Sequence, residues 1–171
     1  MFKKAIEQLR RAKVQDRFPD NDNDWITRMW GGTIKYTKGK TAPRVEKNIV
    51  EFLQLSGHQA EKRAVMGRQI TAPDIKTSIG TIRGKSSYIP YTGTKGYADI
   101  SSVIFGLAVL IEVKVGKDRQ SKEQKKYESA IKKAGGFYFI AHDEDDFLIK
   151  YKELIKHPTM ILMKDFNKTL T

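Results

Sequence analysis

The chain has 171 residues, of which 39% are hydrophobic, so its length suits one domain with an ordinary core and its composition is too polar for a membrane protein. It contains no cysteine, which excludes disulfides and thiolate metal sites and suits a reducing compartment. The net charge of +12, from 32 lysines and arginines against 20 acids, favours a polyanionic partner. Since no secretory signal or membrane-spanning run is predicted, we expect a cytoplasmic protein without a membrane partner.

Residues 1–42 are predicted to form an N-terminal extension of short helices and loops. Apolar residues recur at helical spacing over residues 2–13, which predicts an amphipathic helix with a basic opposite face. After a polar break at residues 18–24, a second short helix is expected to begin near Asp24, an N-cap residue type. Glycines and lysines over residues 31–39 predict a loop.

The second predicted domain, residues 43–171, begins with a helix that follows Pro43 and ends near Gly57. Residues 58–70 are expected to hold a strand, and residues 71–96, rich in Gly, Pro, Ser and Thr, to form a long loop with at most a short strand at 79–82. The remaining predicted elements are two strands, a helix, a strand, a helix and a short last strand, at residues 97–104, 107–115, 121–134, 137–141, 143–155 and 159–163. This order predicts a mixed α/β fold.

The two adjacent predicted strands bring three charged residues together. If Phe105 and Gly106 form a two-residue turn, counting outward along both strands places Asp99 directly opposite Glu112. Directly opposed side chains share one face of a sheet, and Lys114, two residues after Glu112, shares that face too. The cluster depends on the length of the turn, because a change of one residue would shift the register.

Two interpretations of this cluster remain open. Facing carboxylates destabilise a sheet unless something binds between them, and a divalent cation would do so, since hard cations prefer carboxylate oxygens. Alternatively, the cluster is a salt-bridged group in which Lys114 neutralises both acids. In either case Glu112 and Lys114 interrupt an otherwise apolar strand, LAVLIEVKV.

Two further polar residues are predicted near this cluster. Glu46 lies within the apolar arc of the helix after Pro43, where a carboxylate is costly unless it is paired or bound to metal; alternatively, it interacts with the helix dipole in the first turn and reaches water. Gln124 completes a capping box with Ser121, and it also shares a helix face that should pack near Lys114. Both interpretations of Gln124 can hold together.

The ordered set of these residues resembles the PD-(D/E)XK nuclease superfamily, and most closely the VRR-NUC type that is common in phage and bacterial genomes. The matching segments are an early helical Glu, a KGYAD segment, Glu-Val-Lys and a downstream helix with Gln, over about residues 43–141. One departure is Ala98, where the family has proline before the aspartate. Because Pro73-Asp74 supplies a literal Pro-Asp, Asp74 is a rival second carboxylate, although the strand context favours Asp99.

The resemblance implies a restriction-endonuclease-like core, with a central mixed sheet flanked by helices in the order α-β-β-β-α-β. It implies a metal-dependent nuclease that hydrolyses DNA, with RNA not excluded, acting as an endonuclease on structured or branched DNA in a bacterial or phage-infected cell. Asp99, Glu112 and the backbone carbonyl of Val113 would bind Mg²⁺ or Mn²⁺, with Glu46 as a further ligand. Homodimerisation is a further expectation, because members that cut both strands often dimerise.

Roles for the remaining candidates follow from the same resemblance. Lys114 would orient or activate the attacking water and stabilise the charge of the phosphorane, and Gln124 would position Lys114 or contact phosphate. Tyr88 and Tyr91 are candidates for stacking on unpaired bases, or for ordinary loop packing. The residues expected to hold the nucleic-acid backbone are Arg63, Arg68, Lys76, Arg83, Lys85, Lys95 and Lys117. The alternative is a basic nucleic-acid-binding protein that keeps this scaffold without cleaving.

Overall fold

The structure is a computed structural model that describes residues 1–63, 68–77, 80–89 and 95–169. The helices of this part of the chain are α1 (Phe2–Arg17), α2 (Asn23–Ile34), α3 (Ala42–Leu55), α4 (Lys122–Lys133), α5 (Glu144–Leu154) and α6 (Pro158–Thr169). Its strands are β1 (Gln59–Lys62), β2 (Arg68–Thr71), β3 (Ile75–Thr77), β4 (Gly80–Ile82), β5 (Ser86–Ile89), β6 (Ile100–Ile104), β7 (Leu107–Val113) and β8 (Phe137–Ala141).

A mixed four-stranded sheet forms the centre of the fold, in the order β1-β6-β7-β8. β1, β6 and β7 pair antiparallel, whereas β8 joins β7 in parallel after the crossover through α4. The predicted mixed α/β fold, with a sheet flanked by helices, is therefore confirmed at this level. Strand β7 lies in the interior of the sheet and its last five residues are buried, which explains its nearly continuous apolar sequence.

The two faces of the sheet carry different layers. On one face a large apolar core joins the sheet to α1, α3 and α5, and Ile49, Phe147 and Ile111 of β7 are among its buried side chains. On the other face a smaller cluster joins Leu110 of β7 to α4 through Tyr127 and its neighbours. Because alternate residues of β7 point to opposite faces, Glu112 lies on the α4 side with Leu110.

The predicted hairpin is confirmed. Ile104 pairs with Leu107 across a two-residue turn, and both turn residues have positive φ angles, 51° at Phe105 and 86° at Gly106. A turn with two positive φ angles matches the right-handed twist of the strands that it joins. The pairing continues to Ile100 and Ile111, so the register that the sequence predicted extends along the whole hairpin.

The second helix is longer than predicted. It starts after Asp22, rather than at Asp24, because the Asp22 side chain accepts the N-cap hydrogen bond. It then continues through residues 31–32, which the sequence assigned to a loop. Ile26 and Ile34 are both buried and lie two helical turns apart, so packing of this apolar face offsets the low helix propensity of the two glycines.

The last element is a helix, so the short strand predicted at residues 159–163 is wrong. Pro158 is the first residue of α6, a position where proline is favoured because its missing N–H has no helical partner. Met160 is fully buried in the main core and anchors the helix. A short apolar run fits either a buried strand or a helix, and the packing of Met160 decides in favour of the helix.

The long loop predicted over residues 71–96 is also wrong over much of its length. β2 pairs antiparallel with β5, and β3 pairs antiparallel with β4, so two short antiparallel strand pairs stand where the loop was predicted. The short strand predicted at residues 79–82 corresponds to β4, although Ile79 lies outside the described residues. None of the helices in the described part of the chain combines the length and the hydrophobicity that a membrane-spanning helix needs.

Candidate functional site

Two charged residues of β7 and its continuation lie inside the fold. The Glu112 side chain is fully buried, and Lys114 is 8% exposed. Both point to the α4 side of the sheet, as expected from their spacing of two residues. A buried carboxylate is costly unless its oxygens find partners, so the contacts of Glu112 determine whether this placement is stable.

Three side chains surround the Glu112 carboxylate. Lys114 Nζ lies 2.9 Å from Glu112 Oε1, and the same oxygen accepts a short hydrogen bond from Gln124 Nε2. The Tyr138 hydroxyl donates to Glu112 Oε2 at 3.2 Å. Lys114 Nζ also lies 3.2 Å from Asp118 Oδ2. Both Glu112 oxygens are therefore bonded, and the lysine bridges two acids.

The electrostatics of this pair reflect its burial. Burial raises the pKa of Glu112 to about 7, with the negative charge of Asp99 adding to the rise and Lys114 opposing it. Burial alone would lower the pKa of Lys114, but its contacts with Glu112 and Asp118 outweigh burial and raise it. Lys114 thus stays protonated near neutral pH, whereas Glu112 titrates there.

Asp99 lies beside Glu112, immediately before β6. Its Oδ2 accepts a hydrogen bond of 2.8 Å from the Val113 N–H, and its backbone carbonyl accepts another of 2.8 Å from the Arg63 N–H. The backbone segment that carries Asp99 is thereby fixed between β1 and β7. Since Ile100 pairs with Ile111, the next position outward places Asp99 against Glu112, in line with the electrostatic effect of Asp99 on the Glu112 pKa.

A glycine brings the Asp99 segment against the start of α4. Gly96 has a φ of +83°, and a Cβ atom at this position would lie 2.5 Å from the Glu123 backbone. Only a residue without a side chain permits both this conformation and this close approach. The segment 95–99 is therefore packed directly on the helix end that carries Gln124.

Gln124 has the two roles that its sequence position suggested. Ser121 Oγ accepts from the Gln124 backbone N–H at 3.1 Å, and the Gln124 Oε1 accepts from the Ser121 N–H at 2.9 Å, which completes the capping box. Because its oxygen faces Ser121, the nitrogen of the side-chain amide faces Glu112. The cap thus sets which end of the amide meets the buried carboxylate.

Glu46 lies apart from this cluster. It is on α3, which packs on the opposite face of the sheet from α4, and it is 6% exposed. Lys62 Nζ lies 2.5 Å from Glu46 Oε2, so this buried carboxylate is held in an ion pair with an exposed lysine. Lys62 pairs with Ile100 in the sheet, so this ion pair lies near the same strand end as Asp99.

The carboxylates provide the donor chemistry that a hard divalent cation prefers. Asp99 and Glu112 repel each other, so their residue types fit such an ion, whereas the Glu46 carboxylate is already paired with Lys62. Within the described ranges, however, no three His, Cys, Asp or Glu side chains come close enough together to hold one metal. The predicted ligand set consists of Asp99, Glu112 and the Val113 carbonyl, so it contains only two carboxylate side chains. Metal binding by this set stays a prediction.

The predicted nucleic-acid contacts fall into two groups. Near the cluster, the Arg63 guanidinium lies 5.1 Å from the centre of the Tyr97 ring, Lys95 lies near Glu123, and Lys117 is exposed in the turn after β7. The others, Arg68, Lys76, Arg83 and Lys85, lie on the short strand pairs and their connections. Only the backbone of Arg68 and Tyr88 is described, and Tyr91 lies outside the described residues.

Three residues of the neighbourhood were missed by the sequence reasoning: Lys62, Asp118 and Tyr138. Tyr138 was within a predicted strand, but its place beside Glu112 depends on the parallel pairing of β7 with β8, which the sequence did not indicate. Asp118 is four residues after Lys114, but it lies in a turn where this spacing does not fix a contact. Lys62 follows from the pairing of β1 with β6.

The rival carboxylate Asp74 has a different environment from that of Asp99. It connects β2 to β3, and its Oδ1 accepts a hydrogen bond of 2.7 Å from the Gly84 N–H. It is not among the charges that shift the pKa of Glu112, whereas Asp99 is. The geometry therefore favours Asp99 as the partner of Glu112.

Comparison with known proteins leaves this geometry as the main basis for assigning a function. No protein-family model, curated protein or solved structure matches the chain significantly.

Proposed function

We propose that the protein is a metal-dependent nuclease that hydrolyses phosphodiester bonds of structured or branched DNA. One observation carries the proposal: a buried lysine, Lys114, lies 2.9 Å from a fully buried glutamate, Glu112, which an adjacent Asp99 repels. Charges placed in an apolar strand destabilise the fold, and buried groups with shifted pKa values cluster at functional sites. We further propose that the four-stranded sheet is a restriction-endonuclease-like core.

The lysine is suited to phosphodiester hydrolysis. Its pKa is raised by Glu112 and Asp118, so it remains cationic at neutral pH and can donate hydrogen bonds to a phosphate oxygen or to a water. A positioned cation stabilises the negative charge that develops during attack on phosphorus, a contribution of about 3–4 kcal/mol for one such donor. Gln124 and Tyr138 hold the Glu112 carboxylate, and Glu112 in turn holds the lysine.

Asp99, Glu112 and the Val113 carbonyl would hold Mg²⁺ or Mn²⁺. Glu46 lies apart from them and is paired with Lys62, so it would become a further direct or water-mediated ligand only after this ion pair opens. When bound, such a cation supplies charge neutralisation and a water of lowered pKa. Glu112 has both oxygens bonded to side chains, so its bonds to Gln124 and Lys114 must rearrange for it to become a ligand. The Asp99 Oδ1 atom has no hydrogen bond within the described part of the chain.

A second candidate function is a basic nucleic-acid-binding protein that does not cleave. The observation that favours it is the same saturation of Glu112, together with the lack of a three-carboxylate group among the described residues. In that case the Glu112–Lys114 pair is a buried structural ion pair. The net charge of +12 agrees with either function.

A cleavage assay distinguishes the two. The protein is incubated with flapped, branched and single-stranded DNA in Mn²⁺, Mg²⁺ or EDTA, and Lys114→Ala and Asp99→Ala are compared with wild type. We expect metal-dependent cleavage by wild type, and a loss of about 100-fold or more in each variant. Lys152→Ala, which removes an exposed lysine of α5, is the matched control and should cleave as wild type does. Binding without cleavage in every metal would establish the non-catalytic function instead.

A further inference from the structure

The described residues 68–77 and 80–89, which we call the ribbon, form two consecutive antiparallel strand pairs. β2 and β5 make the first pair, and β3 and β4 make the second, farther along the same two arms. Ile70 faces Ser87 in the first pair, and Lys76 faces Thr81 in the second. The ribbon is thus a long hairpin, separate from the four-stranded sheet. We call the β2–β5 pair its first tier and the β3–β4 pair its second tier.

The side chains that the structure describes in the ribbon lie open to solvent. Apart from the half-buried Gly84, every ribbon residue whose side chain is described is exposed, including Ile70 at 39% and Ile75 at 61%. A two-stranded hairpin without a packed face is at best marginally stable in water. A long hairpin that buries none of these side chains in its own core is therefore a surface available to a partner.

The charge of the ribbon identifies the chemistry of that partner. Its 22-residue span, from Arg68 to Ile89, contains four cations and a single acid, Asp74, whose Oδ1 accepts from the Gly84 N–H. One face of the first tier adds amide and hydroxyl groups, where Gln69 donates to Ser86 Oγ at 2.8 Å and Thr71 lies 3.3 Å from the same oxygen. Cationic, hydroxyl and amide side chains are the groups that contact phosphates and base edges.

Close contacts between the two strand pairs give the ribbon a defined shape. Between the tiers, a Cβ atom on Gly84 would lie 1.5 Å from the Ala72 carbonyl oxygen, so only glycine fits there. Ala72 N–H donates to the Lys85 carbonyl at 3.2 Å, and Asp74 accepts from Gly84 at 2.7 Å. These contacts tie the two arms together where regular pairing is interrupted, so the second tier is held by the first.

We infer that the ribbon docks in the major groove of double-stranded B-form DNA and selects a duplex segment as part of the substrate. The inference rests on the proposed function, since it names the substrate class of that nuclease. A major groove about 12 Å wide admits a two-stranded ribbon and exposes base edges to it. Two arms of about ten residues, at roughly 3.3 Å per residue, reach along at most about one helical turn. An RNA duplex offers only a deep, narrow major groove, and a single strand offers none.

Binding is measured in EDTA, where metal-dependent cleavage cannot occur, by fluorescence anisotropy with a DNA duplex, an RNA duplex of the same sequence and the single DNA strand. The ribbon variant carries Lys76→Ala, Arg83→Ala and Lys85→Ala. The matched control removes three exposed cations elsewhere, through Arg28→Ala, Lys152→Ala and Lys156→Ala. All six positions are exposed, so both proteins are expected to fold, which circular dichroism verifies.

We expect wild type to prefer the DNA duplex over both other ligands. The ribbon variant should bind the duplex about 10- to 100-fold more weakly, and the slope of log affinity against log salt should fall by about 2–3, because each lost phosphate contact removes roughly 0.9 from it. In the control, the duplex affinity and the salt slope should both change much less. Lys76→Glu alone, in the second tier, should weaken duplex binding in the same direction. Equal wild-type affinity for single strand or RNA duplex, or equal losses in ribbon variant and control, would overturn the inference.

Failure of the ribbon and failure of the proposed nuclease give different results. Hydrolysis of bis(p-nitrophenyl) phosphate in Mn²⁺ needs no groove contact, so with the wild-type protein it tests the nuclease proposal independently of the ribbon. Wild type that binds duplex through the ribbon yet hydrolyses neither this compound nor DNA would refute the nuclease and keep the ribbon inference. If wild type cleaves DNA while the ribbon variant binds duplex as tightly as wild type, the ribbon inference is refuted and the nuclease proposal is kept.

Discussion

The side-chain amide of Gln124 donates a hydrogen bond to the buried Glu112 carboxylate while its oxygen accepts from the N-cap of its own helix. One residue thus caps the N-terminus of α4 and also holds Glu112, the central acid of the candidate site. A glutamine at this third position of a capping box usually serves only the helix. Here the same side chain also bonds Glu112, so the start of α4 and the geometry of the candidate site depend on each other.

Substituting Gln124 should therefore affect more than the helix. Gln124→Ala removes the donor to Glu112 and half of the capping box, whereas Ser121→Ala damages the cap and leaves the amide in place. We expect both variants to lose about 1 kcal/mol of unfolding free energy. Only Gln124→Ala should lower metal-dependent cleavage by about 10-fold or more, since one misplaced group costs this much. Equal cleavage rates in the two variants would show that the amide serves the helix alone.

The pKa of Glu112 tests which aspartate is its partner. The charge of Asp99 raises this pKa, so Asp99→Asn should lower it from about 7 when the carboxyl carbon is titrated by NMR in EDTA. Asp74→Asn should leave it unchanged, because Asp74 lies in the ribbon and accepts from Gly84. If Asp74→Asn lowered the pKa and Asp99→Asn did not, Asp74 would be the second carboxylate and the hairpin register would be irrelevant to the site.

The parts of the fold that local sequence determines were predictable. The turn at Phe105 and Gly106 fixes the register of β6 and β7, because pairing on either side of a two-residue turn is a matter of counting. The capping box at Ser121 is likewise a local pattern. Together they brought Asp99, Glu112 and Gln124 into one prediction.

What the sequence could not supply depends on pairing between distant segments. The contact of Tyr138 with Glu112 requires β8 to join β7 in parallel, and the contact of Lys62 with Glu46 requires β1 to join β6. Neither pairing leaves a local signature, since a strand's partner is set by the packing of the whole sheet. The ribbon was missed for another reason: its sequence is rich in Gly, Ser and Thr, which are typical of loops.

The close approach of the Asp99 segment to α4 can be tested at Gly96. Gly96→Ala forces a side chain into a positive φ and brings its Cβ within 2.5 Å of the Glu123 backbone. Gly57→Ala is the matched control, because Gly57 has a similar φ of +81° and no atom within 4 Å of the added Cβ. Each should lose about 1 kcal/mol from the backbone conformation, and Gly96→Ala about 1–3 kcal/mol more from the clash. Chemical denaturation measures both, and a loss at Gly96 no larger than at Gly57 would contradict the close packing.

The pH dependence of stability reports on the burial of Glu112. A carboxyl whose pKa rises from 4.5 in the unfolded chain to about 7 in the fold binds its proton more tightly when folded. Its stabilising contribution is therefore complete below about pH 4.5 and is lost as pH rises to about 7. Glu112→Gln has no proton to lose, so relative to this variant the wild type should become less stable by on the order of 2–3 kcal/mol across that interval in EDTA.

The comparison with Glu112→Gln isolates this effect from other titrations. Lys114 loses an ion-pair partner in the variant, which changes the absolute stability, but its contact with Asp118 remains and still opposes the lowering of its pKa by burial. His58, whose pKa burial lowers, titrates identically in both proteins and cancels in the difference. Urea denaturation at several pH values between 4.5 and 7.5 measures the difference. A constant difference would mean that Glu112 keeps its ordinary pKa, whereas reduction of the loss by saturating Mn²⁺ is expected if the ionised carboxylate binds the cation.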